Sequence, residues 1–211
     1  MKKVFLNITA LICGMIVISC SSDMEEPTHD NSVVIESTGI KVTSTENGSK
    51  DIATVKAIIT NMLCLDTDAC RIEYEVAASK FKSGGFELAF SAIVPDKYLV
   101  PIFVDEGFFV SDTQAKIGVV GLDAFNNDGN RVGYFHIANS ENSWVAEYVY
   151  ADRSFTMKGK TEYGLEVDYS FNKGWNIRYL SYDGAHYYTT QRPLNVDFKC
   201  YFPVPIRCGT Y

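Results

Sequence analysis

Apolar and polar residues alternate with a period of two in window after window of this 211-residue chain, and that pattern narrows the possible folds more than any other feature. Ile72, Tyr74, Val76 and Ala78 interleave with Arg71, Glu73, Glu75 and Ala77; Phe86, Leu88, Phe90 and Ala92 with Glu87, Ala89 and Ser91; Leu165, Val167, Tyr169 and Phe171 with Glu166, Asp168 and Ser170. Successive strand side chains point to opposite faces, so each window predicts a half-buried antiparallel strand with its apolar side inward. Glycine-containing dipeptides punctuate the windows at Asn47-Gly48, Gly84-Gly85, Asp128-Gly129, Lys173-Gly174 and Asp183-Gly184. Glycine supplies the positive φ that tight hairpins need.

Strands are predicted over 54–63, 71–79, 86–94, 116–125, 132–138, 143–150, 155–159, 165–171, 175–182 and 195–202, with 52–62 also having helical character. Few connections could hold a crossover helix. The expected fold is therefore all-β, an antiparallel β-sandwich of immunoglobulin- or transthyretin-like or jelly-roll-like build. Pro95, Pro101, Asp105-Glu106-Gly107 and Ser111-Asp112 interrupt the pattern between 95 and 113. This stretch is either a crossover within one sandwich or the boundary between two small β-subdomains. One sandwich is preferred, because a β-module of about 70 residues buries too little surface to be comfortably stable.

The N-terminus reads as an address. Lys2-Lys3, an apolar run of 15 residues from Val4 to Ile18 and a small residue before the cut make a secretory signal over 1–19. The run falls short of the roughly 20 residues that a permanent span requires. Val17-Ile18-Ser19-Cys20 resembles a bacterial lipobox, which implies acylation of Cys20 and attachment to a membrane by lipid. The acidic leader Ser21-Ser22-Asp23-Met24-Glu25-Glu26-Pro27 is similar to the export tether of surface lipoproteins of the Bacteroidota, and 20–32 is expected to be a flexible tether. Losing Lys2 and Lys3 with the signal takes the net charge from −7 to −9. Nucleic acid is excluded as a partner, since that affinity rests on basic surface.

Gly84-Gly85-Phe86-Glu87-Leu88, Val94-Pro95-Asp96-Lys97-Tyr98-Leu99, Val132-Gly133-Tyr134-Phe135, Lys173-Gly174-Trp175-Asn176 and Tyr188-Thr189-Thr190 follow one another along the chain. In this order they resemble a group of β-rich lipoproteins of unknown function from gut Bacteroidota. The resemblance covers most of residues 50–202 and implies an outer-membrane address and a β fold, but no catalytic residue.

Beyond Cys13 in the signal and Cys20, four cysteines remain: Cys64, Cys70, Cys200 and Cys208. In an exported chain they are candidates for disulfides, either locally as 64–70 and 200–208 or with Cys70 joined to Cys200. Their spacing does not suit zinc, and the three histidines form no ligating pair. Asn126, Asp128 and Gly129 partly match a calcium loop, but a hairpin turn explains them better. No G-x-S-x-G elbow and no free Cys-His arrangement is present. The chain is thus expected to be no enzyme and to need no cofactor, a glycan-active hydrolase being the minor alternative.

Of 13 tyrosines, 11 lie from Tyr134 onward, so the second half is where an aromatic binding face would be found. Trp144, Trp175, Tyr187 and Tyr188 are the candidate ligand-binding aromatics; for the two tryptophans, core packing is the stronger expectation. The expected function is that of a lipid-anchored, non-catalytic binding or accessory module for a glycan or an envelope protein. The alternative is a structural or assembly component of an envelope or fimbria-like complex.

Overall fold

The computed structural model describes residues 33–46, 51–62, 71–91, 93–104, 106–160, 164–182 and 186–202. The stretches expected to be signal (1–19) and tether (20–32), with Cys20, and Cys64, Cys70 and Cys208 lie outside the described residues. In chain order the strands are β1 (Val33–Glu36), β2 (Gly39–Val42), β3 (Thr45–Glu46), β4 (Thr54–Met62), β5 (Arg71–Lys80), β6 (Phe86–Ala89), β7 (Val100–Pro101) and β8 (Phe108–Val110). They continue as β9 (Lys116–Phe125), β10 (Arg131–Asn139), β11 (Trp144–Ala151), β12 (Phe155–Lys160), β13 (Glu166–Phe171), β14 (Gly174–Ser181), β15 (Tyr187–Thr189) and β16 (Phe198–Tyr201). A single 3-10 turn, Asp96–Tyr98, is the one helical element among the described residues. The fold is all-β and sandwich-like.

β1, β2 and β6 form a small antiparallel sheet, and the other strands belong to one large open sheet. The alternating stretch 54–62 is a strand, ending its helical ambiguity: β4 pairs along β5 on one side and β9 on the other, from Thr54↔Phe125 to Ile59↔Val120. The strand expected over 86–94 stops at Ala89, because its partner β2 has four residues and the Phe90 N–H turns to the Thr38 carbonyl at 2.9 Å. Two pairings, β13 with β15 and β16 with β3, are parallel rather than antiparallel. Both involve strands of two or three residues laid down where the chain returns to the sheet. The described part of 95–113 leads from β6 of the small sheet to β9 of the large one, and β7 within that stretch pairs with β9. All of these pairs and both cores fall within Asn31–Tyr211, which forms one compact unit.

Alternation gives the large sheet two apolar faces. Val120, Leu122 and Ala124 of β9, Phe135 and Ile137 of β10, and Ala146, Tyr148 and Tyr150 of β11 meet Ile40, Val42, Phe86 and Leu88 of the small sheet in the first core. Burying a leucine such as Leu88 contributes about 2 kcal/mol. The Tyr148 hydroxyl donates to the Gly39 carbonyl at 2.7 Å and ties the two sheets together. Gly39 has to be glycine here, since a Cβ would stand 2.4 Å from the Leu88 carbonyl oxygen. On the opposite face, Val149 and Ala151 of β11 pack with Phe155, Val167, Tyr169 and Phe171 in a smaller second core, over which β12 and β13 curl.

Candidate functional site

Three central strands part company at one point. β9 pairs with β11 as far as Val119↔Val149 and with β10 from Leu122↔Phe135, while β10 pairs with β11 only at Ile137↔Ala146 and Ala138↔Val145. Among the described residues no ladder pair fills the triangle between these junctions, and a groove of about 680 Å³ opens there.

The residues that line it follow from the period of two. Val120, Leu122, Phe135, Ile137, Ala146 and Tyr148 turn into the first core, so Gly121, Asp123, Tyr134, His136, Val145 and Glu147 present the other face to the groove. A bulge between Arg131 and Gly133 puts one extra residue into β10, which brings Arg131 onto the same face as Tyr134. Gly121 leaves the floor low, with no atom closer than 3.8 Å to where a Cβ would stand.

The polar groups are held in place. Asp123 is 2% exposed and accepts from the Arg131 guanidinium, which reaches across the β9–β10 hairpin. Glu147 pairs with Arg178, its neighbour on β14, at 2.6 Å. Burial alone would depress the Arg178 guanidinium, but the Glu147 carboxylate reverses this and raises it. His136 lies 3.1 Å by Nε2 from the Asn142 side-chain oxygen and stacks on Tyr201 at 5.4 Å. Burial pulls the imidazole pKa below its ordinary value, the Asn142 hydrogen bond opposing. The ring is therefore neutral at pH 7, and its Nδ1 has no partner among the described residues. Tyr134, 44% exposed, is the aromatic surface of the groove.

Each carboxylate is bound to a guanidinium, a chemistry suited to gripping hydroxyl groups through fixed charge-assisted hydrogen bonds. Among the described residues, no three His, Cys, Asp or Glu side chains gather as metal ligands.

The aromatics picked from the sequence do not form one platform. Trp144 and Trp175 pack against the first core, and the Trp175 Nε1–H donates to the Ser91 carbonyl at 2.7 Å. Tyr188 packs against the second core on the opposite side of the sheet, and Tyr187 is half-buried opposite Ser181. These four do not share one surface: Trp144 of β11 and Trp175 of β14 turn to the first core, and alternation along β15 sends Tyr187 and Tyr188 to opposite faces. Asn126 holds its hairpin, its side-chain oxygen accepting from the amides of Asp128 at 3.1 Å and Asn130 at 2.9 Å. That oxygen is engaged, and Asp128 is an ordinary turn residue beside it. Cys200 carries a free thiol, fully buried, whose pKa burial pushes up to about 12; its proposed bridge partners lie outside the described residues.

The residues that do line the groove escaped sequence reasoning. One signal was visible: Asp123 is the only charged residue in the otherwise apolar run 117–125, eight positions before an arginine across a turn. Comparison with family models, with curated proteins and with solved structures returns no match to this chain.

Proposed function

We propose that the protein is a lipid-anchored, cell-surface binding module, non-catalytic, whose ligand is a glycan held in the groove between β9, β10 and β11. The observation that carries this reading is the lining of that groove: a half-exposed tyrosine ring beside two guanidinium-anchored carboxylates. A sugar offers an apolar ring face for Tyr134 and hydroxyls for Arg131, held by the buried Asp123, and for Glu147. The lipobox at Cys20 and the acidic leader supply the address, and the net charge disfavours polyanions.

The test is a glycan array probed with residues 31–211. The reading expects a confined set of binders, with Tyr134→Ala and Gly121→Val each reducing binding at least tenfold while the fold persists. An array that retains nothing, or binders indifferent to both substitutions, would overturn it.

The assembly alternative draws on β5, a ten-residue strand whose one ladder partner among the described residues is β4. Exposed Glu73 and Glu75 are the charges by which edge strands discourage pairing, so this reading ranks second.

A further inference from the structure

The curl of β12 and β13 over the second core leaves a cavity of about 340 Å³. That is within the range of small-molecule sites, whose lower end is about 300 Å³. Its walls are apolar, among them Ile117, Phe155, Met157, Val167 and Phe171. Phe103 lines it as well and is 78% exposed, which makes this ring the mouth of the cavity.

Besides Tyr188, whose ring packs on Tyr182 at 6.3 Å, two polar groups interrupt the apolar wall. Tyr169 is 6% exposed; the Arg178 guanidinium stands beside its oxygen, and its hydroxyl hydrogen has no acceptor among the described residues. A buried donor in that condition costs about 1–3 kcal/mol, and a ligand acceptor would recover much of this. Burial pushes the phenol up to about 12, with the nearby Arg178 guanidinium opposing, so it is a donor at every physiological pH. Arg178 is the second group, and its charge is already matched by Glu147 at 2.6 Å. The polar end of the cavity is therefore neutral overall. An anion placed there would meet the Glu147 carboxylate as well as the guanidinium.

We infer that this cavity is a second ligand site, separate from the groove, for an uncharged and largely apolar molecule bearing one oxygen acceptor that takes the Tyr169 hydroxyl hydrogen bond. An apolar body fills the walls, and a carbonyl or ether oxygen meets the phenol.

The neutral naphthyl ketone Prodan tests this, because its emission reports both the polarity of its surroundings and hydrogen bonding to its carbonyl. Titrated with residues 31–211, it should bind saturably at one site with emission shifted to the blue of its value in water. Tyr169→Phe should weaken binding about five- to tenfold, the value of one buried hydrogen bond, and shift bound emission further to the blue. Met157→Trp fills the cavity from a half-buried position and should abolish binding while unfolding by urea stays cooperative. Naphthoate, similar in its apolar ring but anionic, should bind more weakly than the ketone. Absence of saturable binding to the wild type overturns the inference. So do affinities unchanged in both variants, or a preference for naphthoate.

Discussion

The two faces of the large sheet are built from the same alternating strands and end in opposite conditions. In the first core, rings meet in succession: Phe86 and Phe202 lie 5.2 and 4.9 Å from Phe135, and Phe90 packs 4.7 Å from Tyr148. The Tyr148 hydroxyl buried among them finds a backbone carbonyl. In the second core a comparable tyrosine, Tyr169, finds none and borders a void. A complete second layer, the β1–β2–β6 sheet, covers the first face. The second face is covered only by the sheet's own curl, and a sheet folding back on itself does not match its own shape so closely. Stability is therefore expected to reside in the first core, and space for ligands on the other face.

Truncation of the two cores should break or sharpen that contrast most strongly. Leu88→Ala in the first core is expected to cost about 3 kcal/mol in urea unfolding, and Val167→Ala beside the existing cavity about 1 kcal/mol. Equal costs would remove the distinction. The groove comes next. Arg131→Ala leaves the buried Asp123 carboxylate without its cation, at about 2 kcal/mol, less than for a fully buried pair because Arg131 is itself 41% exposed. Adding Asp123→Asn should restore part of that loss, and a double mutant worse than the single one would show that the pair is not the reason. Smaller still is the comparison of the two tyrosines. Tyr148→Phe should lose about 1 kcal/mol and Tyr169→Phe gain about 1 kcal/mol, since the first hydroxyl has an acceptor to lose and the second is a buried donor without one.

The smallest effect is a pH dependence. The His136 pKa is lowered from 6.5 in the folded chain, so the unfolded chain takes up its proton first as pH falls. The resulting stability is fully present above pH 6.5 and is lost on acidification from there down to the folded value, below which it changes no further. Unfolding at a series of pH values, with His136→Gln as the control, should show that slope in the wild type and its absence in the variant. A slope retained in the variant would assign it to other groups.

The strands were legible because each buries one face, and period two is what a half-buried strand imposes on its residues; β6 and β13 carry it without a break. β1, β2 and β15 were missed because three or four residues hold too few alternations to stand out. The site was not legible for a different reason. The groove exists where β9, β10 and β11 diverge, a property of how strands pair that no single strand encodes. Tyrosine enrichment in the second half drew attention to Tyr187 and Tyr188, while the ring exposed in the groove, Tyr134, sits where that enrichment begins. Trp175 shows why composition misleads here: its strand neighbours alternate faces, and it falls on the sealed one.

The central claim is that the parting of β9, β10 and β11 is a ligand site, and an amide NMR titration of residues 31–211 with the strongest binder from the glycan array tests it most directly. The account predicts shifts centred on Gly121, Tyr134, His136 and Glu147 that vanish in Gly121→Val, a substitution whose Cβ meets no atom within 3.8 Å. Shifts centred instead on the β5 edge or on residues 126–130, or a pattern unchanged in Gly121→Val, would contradict it.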